Sequence, residues 1–507
     1  MSFRIMLIVT LLIAWSTAVA GEANPAAMKK WADERSTLRK GRAELRAGAE
    51  ASRVERAGKA AKMGLELVAK AKDLRVPSQD ALFTRLAAFI ERLDPTQVAD
   101  FNAAAKALPP EPASVDAKLS REWTTWLSSR RTALTKPTET LAQKAIGVKV
   151  YDIAHECLMD VLTFDPDNAT RSGALGMTKI DERWYGPKDL LLVKAGLRWD
   201  DKLGWIMAKD AKDAARYAAG EYFDLQSKRW LPLAEADAAH ATLEQGWVIQ
   251  TEHLELRGNA PLAALVQSAN KLEQFYQQIF ANYCGFFATG RNGGDDVKLI
   301  FGVLDHPRLK ISIARNREDY KKSLPDGIDA GWSAGMWIPS ADSTFFFAGP
   351  ADLMFHEFTH QILDKFMHGN RAPVWVTEGS AVYTQSPTYE KGELVLGITE
   401  KNRQVMQFLL QRRAGKAMSL DTLFALDHAS WRAAADPQAQ YSAAGAVVQF
   451  CMEADNRKYR GDFIDFLRDS YLGESGGHPV WEYLGMSRAD FNAAFAKWGE
   501  GRGEPKA

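Results

Sequence analysis

Two histidines stand four residues apart in MFHEFTHQIL, residues 354–363, with a glutamate directly after the first histidine. Four residues advance about 400° around a helix, so His356 and His360 would project from one face about one turn apart. That spacing lets two imidazoles reach one metal ion, and Glu357 lies where it can hold a reacting water. The pattern predicts a zinc site with a general base. The alternative is an ordinary helix with two histidines on its polar face.

A catalytic zinc site of this kind needs a third protein ligand and an open position. The longer pattern H-E-x-x-H-x-x-G-x-x-H is excluded, because Leu363 stands in place of its glycine. His368 is expected at the end of the helix and pointing away. Asp364 would require a regular helix to wrap three ligands around one ion. The candidate that remains is Glu378, 18 residues after His360.

Two helices are expected to position these side chains. Residues 351–366 carry apolar side chains at helical spacing, and residues 373–385 form a second apolar helix. A helix, a turn and an antiparallel helix would bring Glu378 back against the histidines. The small residues at 379–381 permit the close packing that this arrangement needs.

An alternating pattern of strands and helices precedes the two helices. Strands are predicted at 246–256, at 297–304 and within 334–349, separated by helices at 260–287 and 316–324. The segment 333–339 is the candidate edge strand that would pair with an extended peptide, although an ordinary buried strand has the same composition. The fold class predicted for the whole chain is α+β.

This combination of motifs resembles a known family. H-E-F-T-H followed by W-x-x-E-G-x-A-x-Y is similar to the gluzincin zinc metallopeptidases of the peptidase MA clan, over about 350–385. The order of elements over about 246–470 is similar to the peptidase MA-like domains of secreted bacterial proteins. The resemblance implies a thermolysin-like zincin domain at 246–500, with a small sheet, a zinc helix and a mostly helical C-terminal half.

The resemblance also implies roles for individual residues. His356, His360 and Glu378 would bind Zn²⁺, and Glu357 would activate a zinc-bound water that hydrolyses a peptide or protein substrate. Several gluzincins have an aspartate four residues after the ligand glutamate, where this chain has Val382. The resemblance therefore does not identify the residue that orients the histidine rings.

The tetrahedral intermediate of peptide hydrolysis carries an oxyanion, so one more hydrogen-bond donor is expected near the metal. Tyr441, in QYSAAGAVVQF, is the first candidate, because it opens a helix after the two zinc helices, where such domains usually supply a donor. His428 and Tyr383 are the alternatives. A tyrosine that only packs in the core is a further interpretation of Tyr441.

The chain upstream divides into three parts. Residues 21–146 form a helical N-terminal region rich in Ala, Glu, Lys, Arg and Leu. Residues 147–180 resemble the second helix and turn of a tetratricopeptide repeat, which packs on neighbouring helices or belongs to a peptide-binding solenoid. Residues 181–245 read as an aromatic and Gly-rich β connector, with a packed core or a polysaccharide- or peptide-binding cluster as its alternatives.

The N-terminus has a basic start, an apolar run from Ile5 to Trp15 and an A-x-A site, which predict a signal peptide, residues 1–20, cleaved after Ala20. The alternative is a single membrane anchor. No cysteine lies near that point, so a lipoprotein anchor is not expected, and the mature protein is predicted to be secreted or periplasmic without a transmembrane segment.

Composition adds little about partners. The 64 basic residues balance 64 acidic ones, so nothing points to nucleic acid. Three widely separated cysteines, Cys157, Cys284 and Cys451, are expected to be buried thiols.

Three functions remain open at this point. The first is an exported zinc-dependent metallopeptidase. The second is a binding or scaffold protein whose helical N-terminal region binds a protein partner and whose zinc domain is structural. The third is a zinc hydrolase that acts on a non-peptide amide or on cell-wall peptide. The intact Glu357 favours catalysis, because a structural zinc site is normally closed by four protein ligands and has no use for a base.

Overall fold

The computed structural model describes residues 25–74, 76, 81–108, 117–180, 183–207, 211–289, 295–331, 333–347, 351–367, 371–390, 393–500 and 502. The fold is a mixed α+β arrangement, mostly helical with small sheets, which confirms the predicted fold class. The expected signal sequence and His368 lie outside the described residues.

The described N-terminal region is helical, as its composition predicts. Its helices contain many strong helix formers and few β-branched residues, so the segments favour helix locally. A cluster of apolar side chains, including Phe83, Phe101 and Trp123, is buried between them. The helices are α1 (Pro25–Ala51), α2 (Arg53–Asp73), α3 (Ala81–Leu93), α4 (Val98–Lys106) and α5 (Ala117–Gly147).

The predicted tetratricopeptide-like hairpin forms only in part. Its first helix, α6 (Tyr151–Phe164), is followed by α7 (Ala169–Ser172), which has a single turn. The side chain of Asn168 caps that turn, but Gly173 ends it at once. Helix α6 packs against the preceding helix α5 and shares its core, as expected for a unit that cannot bury its own apolar face. The second helix of the predicted hairpin begins after the break but has a single turn.

The connector contains the predicted short strands, which form antiparallel pairs with tight turns, and three short helices. Glycines at positive φ, such as Gly204 and Gly220, stand at turns next to these strands, where a side chain would be strained. The elements are β1 (Thr178–Ile180), β2 (Arg183–Tyr185), α8 (Asp189–Lys194), β3 (Leu197–Asp200), β4 (Gly204–Met207), α9 (Ala211–Ala218), β5 (Glu221–Asp224), β6 (Arg229–Pro232) and α10 (Leu233–Ala239).

A five-stranded mixed sheet follows, in the spatial order β10-β11-β9-β8-β7. The pairs β7–β8 and β10–β11 are antiparallel, and β9 is parallel to both of its neighbours. Strand β10 lies at the edge of this sheet, which agrees with the edge strand predicted at 333–339. The strands are β7 (Trp247–Gln250), β8 (Leu254–Gly258), β9 (Leu309–Ala314), β10 (Gly335–Ile338) and β11 (Ser343–Phe347).

The strand predicted at 297–304 was wrong. Residues Asp296–Ile300 form a short helix, α12, because the Asp295 side chain accepts hydrogen bonds from the N–H groups of Val297 and Lys298 and caps the first turn. A short apolar run suits a buried helix as well as a strand. The strand of the sheet is β9, a few residues further along the chain.

The remaining helices pack on the sheet or complete the C-terminal half, where a small antiparallel pair, β12 (Thr388–Glu390) and β13 (Glu393–Val395), also occurs. Short 3₁₀ turns lie at Pro95–Gln97, Pro339–Ala341 and Thr399–Lys401. The helices are α11 (Leu262–Phe287), α13 (Arg317–Ser323), α14 (Ala351–Met367), α15 (Val374–Thr384), α16 (Arg403–Arg413), α17 (Leu420–Ala425), α18 (His428–Arg432), α19 (Pro437–Arg457), α20 (Arg460–Leu472), α21 (Val480–Tyr483) and α22 (Arg488–Gly499). Of these helices, α11, α13 and α14 pack on the sheet.

A row of arginines on α1 joins the N-terminal region to the C-terminal half. Arg35, Arg42 and Arg46 are spaced by seven and four residues, so they lie on one face of the helix. Their guanidinium groups meet carboxylates on α20 and α6 at 2.6–2.8 Å, in largely buried positions. The pairs are Arg35 with Asp465 and Asp469, Arg42 with Asp462 and Asp465, and Arg46 with Asp152.

The three cysteines are buried and unpaired, as predicted. Within the described part of the chain, no helix has both the length and the apolar character needed to cross a membrane.

Candidate metal centre

Helices α14 and α15 bring three potential metal ligands together. The Nε2 atoms of His356 and His360 lie 3.3 Å apart, and each lies 3.3 Å from Oε2 of Glu378. Glu378 is on the second helix, which packs against α14 and so places Glu378 against the histidines, as the sequence predicts. Within the described residues this is the one group of three or more His, Cys, Asp and Glu ligand atoms close enough to share an ion.

The triangle fits a metal ion. A tetrahedral zinc site with bonds of about 2.0–2.1 Å separates its ligand atoms by about 3.3–3.4 Å, which matches the three distances found here. Oε2 of Glu378 is buried, and the two imidazole nitrogens lie 3.3 Å from it. Two imidazole nitrogens and a carboxylate oxygen are also a donor set that zinc prefers.

The charges of the centre are strongly coupled. Burial alone would lower the pKa of His360, but the Glu378 carboxylate raises that pKa to about 9. Burial alone would raise the pKa of Glu378, but His360 and His356 hold it well below its ordinary value. The carboxylate is therefore ionised, as a metal ligand must be, whereas His360 would release its proton on binding an ion.

Glu357 lies beside the triangle and is held by the edge strand. The backbone N–H of Trp337, in β10, donates a hydrogen bond to Oε2 of Glu357 at 2.9 Å. The indole N–H of the same residue donates to Oδ2 of Asp364 at 3.0 Å, one turn beyond His360 on α14. Asp364 thus contacts the edge strand and is outside the ligand triangle. Trp337 therefore joins strand β10 to helix α14 at two points.

Buried polar contacts fix the position of α14. The hydroxyl of Thr344, in β11, donates to Gln361 at 2.7 Å, and the Gln361 amide donates to the carbonyl of Lys310 at 3.0 Å. The hydroxyls of Thr359 and Thr384 lie 2.7 Å apart and join α14 to α15. These contacts are fully satisfied inside the core, so they specify one arrangement of the helices and the sheet.

The small residues after Glu378 permit close packing, as predicted, but the close neighbour is α19. A Cβ atom on Gly379 would lie 2.6 Å from the carbonyl oxygen of Ala444, and one on Gly445 would lie 2.2 Å from Cγ1 of Val382. The two helices therefore approach closely where each carries a glycine, and α15 packs between α14 and α19.

Tyr441 packs near the first histidine of the centre. Its ring lies 6.0 Å from the ring of His356 and packs edge-on against Trp431 at 5.3 Å. Burial, helped by the Glu378 and Glu357 carboxylates, raises the pKa of Tyr441 to about 12. Tyr383 instead donates its hydroxyl to Glu453. His428 is exposed at the start of α18.

Gln385 is a further residue of the centre that was not predicted from the sequence. This residue follows the end of α15, and its Oε1 lies 3.0 Å from Nδ1 of His356. Its signal was a spacing of seven residues from Glu378, which places both side chains on one face of the helix. The position four residues after Glu378, where an orienting residue was considered, holds Val382, which is fully buried.

Comparison with other proteins gives no match to this chain, either among protein-family models or among curated proteins. The function proposed below is therefore inferred from the geometry of the metal centre.

Proposed function

We propose that this protein is an exported zinc-dependent metallopeptidase of the gluzincin type, with a thermolysin-like zincin domain at 246–500. One observation carries the proposal. Three ligand atoms from His356, His360 and Glu378 form a triangle with 3.3 Å sides. Glu357, which directly follows His356, is not one of the three ligands. Three protein ligands leave a tetrahedral ion one open position, which is the arrangement of catalytic rather than structural zinc sites.

The two histidines and Glu378 would hold the Zn²⁺ ion. When bound, zinc polarises the scissile carbonyl and lowers the pKa of water. The ligand set contributes a single negative charge through Glu378, and its partial burial strengthens interactions with developing charge.

Glu357 acts as the general base and then as the general acid. It takes a proton from the attacking water and passes that proton to the leaving amine. Its Oε2 accepts a hydrogen bond from the backbone N–H of Trp337 at 2.9 Å. The hydrogen bond from a rigid strand keeps the carboxylate in one orientation, which such proton transfers need.

Tyr441 supplies the donor for the oxyanion. The pKa of its hydroxyl is raised to about 12 by burial and by the nearby carboxylates, so it stays protonated at neutral pH and can donate a hydrogen bond. A donor fixed in advance beside the reacting carbonyl stabilises the transition state more than the ground state.

Strand β10 is the candidate edge strand for an extended peptide substrate, because a chain that pairs with a sheet edge gains main-chain hydrogen bonds that a non-peptide amide lacks. The N–H groups of Gly335 and Trp337 are already bonded to Ser333 and Glu357, so a peptide that pairs with this edge would have to displace them.

The test is digestion of a complex peptide library by residues 21–507 and by the Glu357→Gln variant. The proposal predicts cleavage by the wild type, and a loss of about 100- to 10,000-fold in the variant. The cleaved bonds would also show the preferred residues. If neither protein cuts any peptide while both bind zinc, the scaffold hypothesis replaces this proposal.

A further inference from the structure

A buried hydrogen bond links Gln385 to the first histidine of the metal centre. Oε1 of Gln385 lies 3.0 Å from Nδ1 of His356. The two residues are only 9% and 8% exposed, so water does not compete for this contact. An amide oxygen is an acceptor only, so the Nδ1 atom must carry the proton and donate it.

The position of Gln385 follows from the packing of α15. The residue four places after Glu378, Val382, is fully buried and fills the notch at Gly445 on α19. A carboxylate at 382 would be buried in this apolar contact and could not reach His356. Gln385 lies two turns after Glu378 and so returns to the face that meets α14. The fold therefore places a hydrogen-bond acceptor for His356 at position 385 and excludes one at position 382.

The protonated Nδ1 leaves the lone pair of Nε2 directed at Glu378 and His360, with which it forms the triangle. A partner on the far nitrogen selects the tautomer of a metal-bound histidine and fixes the plane of its ring. An amide does this without adding charge. A carboxylate in the same place would make the imidazole more electron-rich and hold a cation more tightly.

We propose that Gln385 is the positioning residue of His356, and that as a neutral acceptor it keeps the zinc affinity below the value that a carboxylate would give. This inference rests on the proposed function, since it needs the triangle to bind zinc. It assigns a role to a residue outside the motif H-E-x-x-H and states in which direction that residue changes the zinc affinity.

The experiment measures the zinc dissociation constant by competition with a chelator, on residues 21–507. Gln385→Leu removes the acceptor at nearly constant volume, and we expect zinc to bind about 10- to 100-fold more weakly. Gln385→Glu keeps an acceptor and adds charge, and we expect tighter binding than in the wild type. Gln274→Leu, at an exposed position on α11, is the matched control and should leave the constant unchanged.

The outcomes separate the two proposals. If the wild type binds zinc and the dissociation constant of Gln385→Leu is within about twofold of the wild-type value, the role of Gln385 is overturned and the proposed function is not. Weaker binding by Gln385→Glu than by the wild type would overturn the neutral-acceptor argument, even if Gln385→Leu does not fold. A wild type that binds no zinc overturns the proposed function and this inference together.

Discussion

The backbone N–H of Trp337 donates a hydrogen bond to Oε2 of Glu357 at 2.9 Å, so the edge strand of the sheet orients the proposed general base. Proline has no N–H and is tolerated at outward-facing positions of edge strands. We therefore expect Trp337→Pro to lower kcat by up to about 100-fold, because the carboxylate loses its fixed orientation. Steady-state kinetics on a peptide substrate measure this.

Trp337→Phe is the control for that change. It keeps the backbone N–H and loses only the indole contact with Asp364, so its kcat should exceed that of Trp337→Pro by a clear margin. Equal rates for the two variants, with equal thermal midpoints, would show that the backbone hydrogen bond does not position Glu357.

Tyr441 and Tyr383 make a matched pair for the oxyanion donor. Tyr441→Phe removes a hydroxyl at the centre, and we expect kcat to fall about 100- to 1000-fold with little change in zinc binding. Tyr383→Phe removes a hydroxyl that donates to Glu453. We expect it to keep kcat near the wild-type value while it lowers the free energy of unfolding by about 1–3 kcal/mol. Kinetics and chemical denaturation measure both quantities, and the reverse pattern would transfer the donor role to Tyr383.

Local sequence signals were sufficient where the chemistry is local. The spacing of His356 and His360 predicts their meeting because one helical turn brings them together, and the turn before α15 adds Glu378. Trp337 could not be assigned to Glu357, because that contact depends on where an edge strand lies against a helix 20 residues later. The helix at Asp296–Ile300 was missed because a side-chain cap at Asp295 outweighed an apolar run that suits either structure.

Close packing between α15 and α19 should be sensitive to one added methyl group. The Cβ atom that Gly379→Ala adds would lie 2.6 Å from the carbonyl oxygen of Ala444. The two helices must therefore move apart. We expect a loss of about 1–3 kcal/mol in the free energy of unfolding and weaker zinc binding, because the neighbouring Glu378 moves. Denaturation and chelator competition measure the two effects.

Gly48→Ala is the comparison, because a Cβ at this exposed helical position meets no atom within 4 Å. Alanine there should stabilise the protein by about 0.5–1 kcal/mol. A Gly379→Ala protein as stable as the wild type would contradict the packing argument.

Arg42 tests whether the N-terminal region is an integral part of the fold. Its guanidinium group is buried between Asp462 and Asp465, at 2.7 and 2.8 Å. Arg42→Ala leaves the buried Asp462 carboxylate without its ion-pair partner, whereas Asp465 keeps Arg35 and Arg468. We expect a loss of about 3–5 kcal/mol in the free energy of unfolding. Lys40→Ala, on the exposed face of α1, should change stability by no more than about 0.5 kcal/mol.

The cost of Arg42→Ala should grow with pH. Burial raises the pKa of Asp462 to about 6 even though Arg42 lowers it, and an exposed aspartate titrates near about 3.9. The stabilisation from binding this proton is therefore present below about pH 4 and lost as the pH rises through about 6. Without Arg42 the folded-state pKa rises further. The stability gap between variant and wild type should be larger at pH 8 than at pH 5, and a gap that shrinks over this range would contradict the assignment.

The central claim is that His356, His360 and Glu378 bind one zinc ion, and metal analysis of purified protein tests it most directly. We predict one zinc per wild-type chain and per Glu357→Gln chain, because Glu357 is not a ligand. His356→Ala should lose the metal, whereas His428→Ala, at an exposed position on α18, should retain it. Full zinc retention after His356→Ala, or a wild type without zinc, would contradict the account.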